Sequence, residues 1–417
     1  MATPLLDRIP ALLHQVAFRR FWTAQTISFL GDQVSTIALP LTAVLALNAS
    51  AAQMGMLGAL ASLPNLLFSL HAGGFVDRSA KLRRIMVLCD LGRAAALATV
   101  PVAYALDCLT LPQLWAVAFV TGTLAMLFNV ASNSMFAALV ERADYVAGTS
   151  LTRGSFSFSW VAGPGLGGML VQALSAPVAL VADVVSFLTS GLLLRSINPR
   201  EPEPTKHKEP SHIREGLRFV NRTPVLRAKF LGGGFLNLFY TIYFTLFLLF
   251  IARDLDLPPW MIGLALGLGA IGALAGSFVT GWFTRRIGLG LTFIAGSILF
   301  PGALVLVPFA PSNHWVSFGL VIAAELLSGM GLMLCDIAGS SLQQALTPDR
   351  FRSRVQGAYL ALIHGVRTAG ALVAGALGTL MGYRPALWLA VIGGVISVLP
   401  LLLAPVAGMK TLPDQAE

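Results

Sequence analysis

Long apolar runs alternate with short polar connections along almost the whole chain. Each run has about 17 to 27 residues, which is enough for an α-helix to cross the hydrocarbon core of a bilayer. The twelve predicted spans are approximately Phe21–Leu47, Met54–Val76, Ile85–Leu106, Leu114–Leu139, Gly148–Leu174, Val178–Leu194, Phe230–Ile251, Trp260–Phe283, Leu289–Phe309, Trp315–Ser340, Val355–Met381 and Ala386–Ala407. The pattern therefore predicts an all-α membrane protein with twelve transmembrane helices.

One long polar stretch separates the first six spans from the last six. Its first part interleaves prolines with lysine and glutamate, so we expect it to be extended and mobile. Its second part, Ser211–Val220, could form a short surface helix with Ile213, Leu217 and Val220 toward the membrane. We interpret the stretch as a tether, with a regulatory role as the alternative. The predicted domains are an N-terminal six-helix bundle (1–197), a cytoplasmic linker (198–223) and a C-terminal six-helix bundle (224–417).

Composition and charge support a membrane setting. Hydrophobic residues make up 56% of the chain and charged residues 11%, against roughly 25% charged residues in an average soluble domain. The net charge of +9 does not indicate a nucleic-acid partner, because the basic residues concentrate in the linker and in alternate short connections. This positive-inside asymmetry predicts an inner-membrane protein with both termini in the cytoplasm. The three cysteines are isolated and predict neither a disulfide nor a metal site.

Two landmarks recur half a chain apart. The charged segment Gly73–Arg84, which we predict to be a loop, has a weaker copy at Gly281–Gly288, in which Arg285 stands 208 positions after Asp77. Gly163 in the fifth span and Gly370 in the eleventh differ by 207 positions. Two nearly equal offsets predict two parallel six-span repeats, an arrangement typical of transporters.

At these landmarks the chain resembles the major facilitator superfamily. The first loop follows the pattern G-x-L-A-D-R-x-G-R-R of that superfamily at Gly73, Asp77, Arg78 and Lys81, and departs from it at Phe75, Val76, Ala80 and Leu82. The fifth span carries Gly163, Pro164, Gly167 and Gly168, which match the G-P-x-x-G-G core of the antiporter motif, while Ser150 and Ser159 replace its upstream glycines. The resemblance covers nearly the whole chain and implies the major facilitator fold.

Within the superfamily the chain looks most like the drug–proton antiporter branch that includes macrolide-efflux proteins and the enterobactin exporter. The supporting stretches are looser than the first loop. They are Phe29-Leu30-Gly31-Asp32, Asp90-Leu91-Gly92-Arg93, Asp183-Val184-Val185-Ser186-Phe187, Ser341-Leu342-Gln343-Gln344 and Thr347-Pro348-Asp349-Arg350.

The resemblance implies two gates. Asp77 would face the N-terminal end of the eleventh span, where exposed amides carry partial positive charge, and would close the cytoplasmic side with Gly73, Arg78 and Lys81. The alternative is a positive-inside anchor without a gating role. The second copy has lost this carboxylate, because Arg285 stands in its place.

The outer seal implied by the resemblance lies between the fifth and eighth spans. Gly163, Gly167 and Gly168 would let the eighth span approach closely, and Pro164 would bend the fifth span. Ordinary tight helix packing is the alternative.

A second set of charged residues lies near the cytoplasmic gate. Asp90 and Arg93 are three positions apart on the third span, so they share a face and are within pairing reach. Arg153 in the fifth span is a candidate partner of this pair. We expect these residues to support the gate rather than to bind substrate, and we expect Asp183 to make a helix-end contact.

Three charged residues lie deeper in the predicted spans. Asp32 is eleven positions beyond Phe21, roughly 16 Å at 1.5 Å per residue, which is near the midplane. An ionised carboxylate there is costly, so we expect Asp32 to bind and release a proton; a fixed hydrogen bond between helices is the alternative. Glu325 and Arg367 lie at similar depth, either as a structural pair or with Arg367 facing an anionic substrate.

These expectations predict a secondary transporter that exports a small, largely apolar, drug-like compound in exchange for protons. The sequence contains no ATP-binding loop and no nucleophile–base set of an enzyme, so we expect no cofactor and energy from the proton gradient. The expected partners are the substrate, protons and the lipid bilayer, and we expect a monomer. Siderophore or lipid export, a passive uptake carrier and a non-transporting membrane sensor are the alternatives.

Overall fold

The computed structural model describes residues 11–79, 81–197 and 213–409. Within these ranges all regular elements are helical. The α-helices are α1 (Val16–Leu41), α2 (Ala51–Ser79), α3 (Leu82–Ala105), α4 (Leu111–Leu139), α5 (Tyr145–Leu174), α6 (Ala176–Arg195), α7 (Ile213–Arg222), α8 (Pro224–Arg253), α9 (Pro259–Ile287), α10 (Leu289–Ala303), α11 (His314–Leu346), α12 (Asp349–Met381), α13 (Tyr383–Ile396) and α14 (Leu399–Leu403).

The long helices correspond to the predicted spans. Helix α7 lies in the linker, so spans seven to twelve are α8 to α13, with α14 completing the last one. Among the described residues, eleven helical segments are long and apolar enough to cross a membrane. The remaining span, α5, is 30 residues long and does not reach the hydropathy of the other eleven. Hydroxyl groups within α5 bond to its own backbone, as Ser159 does with the carbonyl of Ser155, so its polarity is compatible with lipid. The predicted all-α membrane fold is confirmed.

The segment Gly73–Arg84 differs from the predicted loop. Helix α2 continues to Ser79 and α3 begins at Leu82, so most of the segment is helical. The reason is burial, because Val76 and Leu82 both lie in an apolar core with Met86. Helix α2 carries Val76 into that core, and the start of α3 at Leu82, ahead of the apolar run, places Leu82 there as well.

The structure contains two compact units. The first comprises Met1–Leu47 and Leu63–His207, and the second comprises Asn48–Ser62 and Lys208–Glu417. In the first unit α1 packs against α5 and α6, and α3 packs against α4 and α6. In the second unit α8 packs against α12 and α13, and α10 packs against α11 and α13. The same four pairings, shifted by six spans, are those expected of a duplicated bundle.

The first part of α2 belongs to the second unit. A Cβ added at Gly55 would lie 2.5 Å from the carbonyl oxygen of Ala371 and 2.9 Å from the Cα of Gly375 in α12. The hydroxyl groups of Ser62 and Thr368 are 3.1 Å apart. Close contact between small side chains thus holds residues 48–62 in the second unit. The predicted domain boundaries rested on the linker alone and placed this segment in the first domain.

Helix α7 packs along the start of α12 in the second unit. The rings of Phe219 and Phe351 stack with centroids 4.9 Å apart, and Arg354 forms an ion pair with Glu215. Val220, predicted to face the membrane, is instead buried in a core with Leu226 and Phe230, whereas Leu217 is exposed, and the side chain of Ile213 lies outside the described part of the structure. The linker helix therefore uses Phe219 and Val220, rather than Leu217, to dock against the bundle.

Single residues with unusual backbone angles make equivalent connections in the two units. Ser175 joins α5 to α6 with φ 88° and ψ 156°, and Gly382 joins α12 to α13 with φ 81° and ψ 172°. Residues 175 and 382 differ by 207 positions, the offset found at Gly163 and Gly370. This backbone region is essentially restricted to glycine, so the first unit holds a serine in a strained conformation.

Replacing Ser175 with glycine is expected to stabilise the protein by about 1 kcal/mol, because glycine adopts these angles without strain. The serine hydroxyl is buried and has no hydrogen-bond partner in the part of the chain that the structure describes, so its removal costs none of the described hydrogen bonds. Thermal unfolding of the purified protein in detergent should show an apparent Tm higher by roughly 2 °C. Ser175→Ala is the matched control, since it removes the hydroxyl and keeps the strain. Equal Tm values for the two variants would contradict the strain argument.

Candidate functional site

Four charged residues from three helices converge in the first unit. We call Asp32 of α1, Asp90 and Arg93 of α3, and Asp183 of α6 the Arg93 cluster. The guanidinium of Arg93 donates to Oδ1 of Asp90, and its Nη1 lies 3.4 Å from Oδ1 of Asp32. The Arg93 side chain is only 2% exposed and that of Asp90 is fully buried. An arginine in this position is tolerated because two carboxylates balance its charge.

Aromatic rings hold the guanidinium on two further sides. The Arg93 guanidinium carbon lies 4.7 Å from the ring centroid of Phe128 in α4 and 4.1 Å from that of Phe187 in α6. Cation–π contacts of this kind add attraction without adding negative charge. Arg93 is therefore a fixed cation at the centre of the unit, and the carboxylates around it are the groups that can change charge.

Asp183 reaches the cluster from α6. It is 1% exposed and accepts hydrogen bonds from Ser35 of α1 and, at 2.8 Å, from Ser186. Gly31 makes this contact possible, because a Cβ there would collide with the Asp183 carboxyl and the Ser186 side chain. The expected helix-end contact of Asp183 is thus wrong: the residue is part of the charged cluster.

Asp32 differs from the other carboxylates in its exposure. Its side chain is 44% exposed, whereas those of Asp90 and Asp183 are buried. Its pairing with Arg93 is also the longer of the two ion pairs. Asp32 is therefore the carboxylate of the cluster that is most accessible from outside the protein interior.

The structure brings together some, but not all, of the residues predicted from the sequence. Asp32 and Asp90 both form ion pairs with Arg93. Arg153 is exposed, and no ion pair joins it to the cluster among the described residues. Sequence reasoning missed Asp183 as a member; the available signal was Asp183 followed three positions later by Ser186, together with Gly31 beside Asp32.

The second unit separates the other two predicted cavity residues. Nε of Arg367 in α12 donates to Oδ1 of Asn237 in α8 at 3.1 Å. Glu325 of α11 lies against Gly269 of α9, where an added Cβ would be 3.2 Å from its Oε2. No ion pair joins Glu325 to Arg367 in the described structure. Tyr240 of α8 is within electrostatic range of both, so the two charges share a neighbour without pairing.

The predicted cytoplasmic gate lies only partly within the described residues. The backbone of Asp77 and Arg78 belongs to the last turns of α2, but their side chains lie outside the described part of the structure. Lys81 is exposed. A Cβ added at Gly73 would meet no atom within 4 Å, so this glycine serves no close packing here. The gating role of this segment stays a prediction.

The glycines of the predicted outer seal pack inside their own unit. A Cβ at Gly163 would collide with Gln33 of α1, and one at Gly167 would lie 3.3 Å from the Cα of Val34. Pro164 and Gly168 are buried in the same helix, α5. These glycines let α5 approach α1, the helix that carries Asp32. The seal with the eighth span stays a prediction.

The glycines of the eighth span, α9, likewise contact their own unit. A Cβ at Gly272 would collide with the backbone of Leu326 in α11, and Gly276 lies against Met330 of the same helix.

Across the described ranges, His, Cys, Asp and Glu side chains form no group of three that could hold a metal ion.

Known proteins resemble the chain over most of its length. The MFS-type transporter YfiS of Bacillus subtilis (strain 168) is 27% identical over 379 residues, covering 87% of this chain and 88% of that protein. The multidrug efflux pump Tap of Mycolicibacterium fortuitum is 26% identical over 372 residues, covering 84% of this chain and 87% of that protein.

Solved transporter structures share the fold. The nucleoside transporter NupG superposes with a TM-score of 0.74 at 12% identity, covering 93% of this chain and 97% of that chain. A bacterial homologue of the iron transporter ferroportin, in its inward-facing state, superposes with a TM-score of 0.74 at 16% identity, covering 96% and 99%. At such identities the likeness concerns the fold alone.

The family model described as Major Facilitator Superfamily matches residues 21–366 and 230–417. This match covers well over half of the chain, and it agrees with the eleven spanning segments found among the described residues and with the repeated packing of the two units. The protein belongs to the Major Facilitator Superfamily of membrane transporters.

Proposed function

We propose that this transporter exports a small, largely apolar organic compound across the inner membrane in exchange for protons. The observation that carries the proposal is the position of Asp32, a partly exposed carboxylate tied by one long ion pair to a buried arginine. Such a carboxylate can lose its partner and gain a proton without disturbing the rest of the cluster. Asp32 would be the proton-binding residue, with access alternating between the two sides of the membrane.

The arrangement of charges supports proton binding rather than a purely structural role. The shorter ion pair of Arg93 is with Asp90, so removal of the Asp32 charge leaves the guanidinium paired. A structural bridge would be expected to bury both partners, as Asp90 and Arg93 are buried. The multidrug efflux pump Tap, similar over most of the chain, supports drug-like cargo and outward transport.

The direct test is efflux from cells that overexpress the protein, with and without a protonophore. A panel of fluorescent apolar drugs and a catecholate siderophore should be loaded into these cells and into cells with an empty vector. We expect at least one drug to leave faster from the overexpressing cells, and the protonophore to remove the difference. Efflux that persists unchanged with the protonophore would contradict proton coupling.

The exposed side chain of Arg367 favours a second class of substrate, anionic compounds. Its guanidinium is exposed and its described hydrogen bond is to a neutral amide, that of Asn237. An exposed cation with a neutral partner remains free to bind a carboxylate or catecholate oxygen. An anionic compound such as a siderophore is therefore the alternative substrate.

Replacing Arg367 with glutamine separates the two cargo classes. If the cargo is anionic, Arg367→Gln should reduce its export at least about tenfold, because one charge-assisted hydrogen bond contributes roughly 1.5–3 kcal/mol. If the cargo is neutral and apolar, export should change less than about twofold. Initial efflux rates of the siderophore and of a neutral drug, measured in the same cells, distinguish the outcomes. Equal losses for both cargoes would indicate a structural role for Arg367.

A further inference from the structure

The Arg93 cluster contains more negative than positive charge. Three carboxyl groups surround one guanidinium, and the ion pairs of that guanidinium are with Asp90 and Asp32. Within the described residues no ion pair reaches Asp183. With all groups ionised the cluster would carry two uncompensated negative charges, in a unit whose outer surface faces lipid. At least one proton bound to the cluster removes much of this cost.

Asp183 is well placed to carry that proton. It is almost completely buried, and its hydrogen-bond partners are the uncharged hydroxyl groups of Ser35 and Ser186. The contact with Arg93 favours the ionised form of Asp90. The remaining choice lies between Asp32 and Asp183, two carboxyl groups within electrostatic range of each other on helices α1 and α6, which approach closely at Gly31.

The hydroxyl of Ser186 can serve both charge states of Asp183. Its Oγ lies 2.8 Å from the backbone oxygen of Asp183 and 2.8 Å from Oδ1 of the same residue. A serine hydroxyl has a single proton and can donate to one of these oxygens at a time. Donation to Oδ1 stabilises the carboxylate. Donation to the backbone oxygen leaves Oγ free to accept a hydrogen bond from a protonated carboxyl, so no heavy atom needs to move.

The helices packed against α6 bring few other titratable groups to Asp183. Helix α1 contributes Asp32 and α3 contributes Arg93, both within electrostatic range of Asp183. Asp90 and the thiol of Cys89 also lie on α3, beside Arg93. Helix α5 carries Arg153, which is exposed and makes no described contact with the cluster. Protonation of Asp183 therefore responds chiefly to the charge of Asp32 and to the fixed charge of Arg93.

We propose that Asp183 is a second proton-binding residue and that it shares one proton with Asp32. In one state Asp183 holds the proton and Asp32 is ionised beside Arg93. In the other Asp32 holds the proton, and Asp183 is ionised within electrostatic range of Arg93. One O–H bond forms for each that breaks, so the cluster keeps a single net negative charge. The use of this proton in transport rests on the proposed function, but its sharing does not.

Infrared spectroscopy of the purified protein tests the sharing without any substrate. Protonated carboxyl groups give a carbonyl band that ionised ones lack, and the band can be followed as the pH is varied. The variants are Asp183→Asn, Asp32→Asn and, as a matched control, Asp107→Asn on an exposed connection. Asparagine at position 183 can accept from Ser35 and donate to Ser186, so this variant should fold, which its thermal unfolding would check.

The shared proton predicts a specific pattern. The native protein should show a protonated-carboxyl band near neutral pH that Asp183→Asn removes and Asp107→Asn leaves unchanged. In Asp32→Asn the band should disappear at a pH lower by about one unit or more, because ionised Asp183 no longer meets a second negative charge. A band whose titration is unaffected by Asp32→Asn would overturn the proposal, and so would the absence of any band removed by Asp183→Asn.

A separate experiment tests whether the proton shared by Asp32 and Asp183 takes part in transport. With a drug shown to leave cells in a protonophore-sensitive manner, Asp183→Asn should lower the rate and shift its pH dependence, while Asp107→Asn should do neither. A native protein insensitive to the protonophore would refute the proposed function and leave the infrared result standing. Protonophore-sensitive export with an unaltered Asp183→Asn variant would instead refute the role of Asp183 alone.

Discussion

Cells that express the Asp32→Asn variant are expected to lose protonophore-sensitive drug efflux, down to the rate of cells without the protein. Asparagine keeps the size of the side chain but cannot take up and release a proton. Arg93 retains its shorter ion pair with Asp90 in this variant, so the bundle should fold. Energy-independent exchange of the drug between the two sides should survive, because substrate binding does not need the proton to move.

Two measurements make this result interpretable. Membrane levels of the variant, quantified by immunoblot, should match those of the native protein. Asp107→Asn changes the same residue type on an exposed connection and should transport normally. A fully active Asp32→Asn variant would contradict the assignment of Asp32 as the proton-binding residue.

Replacing Arg93 with leucine is expected to have the largest effect on stability. The substitution leaves the buried carboxylate of Asp90 without its partner, and removal of one member of a buried ion pair costs about 3–5 kcal/mol. It also removes the cation between the rings of Phe128 and Phe187. We expect much less folded protein in the membrane and a clearly lower Tm of what remains.

A double variant separates charge from packing. If the uncompensated carboxylate causes the loss, Arg93→Leu combined with Asp90→Asn should recover most of the Tm, since neither buried partner then carries a charge. Arg218→Leu on the exposed surface of α7 is the matched control and should leave the Tm nearly unchanged. A double variant no more stable than Arg93→Leu alone would indicate that lost packing, rather than charge, dominates.

Local features of the fold could be predicted from the sequence, whereas contacts between distant helices could not. The twelve spans followed from hydrophobic run length, and the duplication followed from nearly equal offsets between motifs. The pairing of Asp90 with Arg93 was expected because three positions on one helix set their distance. These features depend on short stretches of chain or on simple counting.

The membership of Asp183 could not be predicted in the same way. Its contact with the cluster depends on how closely α1 and α6 approach, and that distance is set by one missing side chain, at Gly31. The separation of Glu325 from Arg367 has a similar origin. Glu325 packs against Gly269 of α9, while Arg367 turns toward Asn237 of α8. Depth along a span does not determine which neighbour a side chain faces.

The linker illustrates a partial success. Its short helix was anticipated, but Val220, expected to face the membrane, is buried against the bundle. The sequence did not show that Phe219 would stack on Phe351, because that contact depends on where α12 begins. Leu217 was expected to face the membrane, and its exposure is compatible with that expectation.

The most direct test of proton-coupled export uses purified protein in liposomes with an acidic interior. Protons leaving the interior should drive the exported drug inward against its own gradient, and a protonophore should collapse the accumulation. Protein-free liposomes with the same gradient correct for passive trapping of weak bases. We predict accumulation above this baseline for the native protein and none for Asp32→Asn. Equal accumulation by both proteins, or accumulation that persists with the protonophore, would contradict the account.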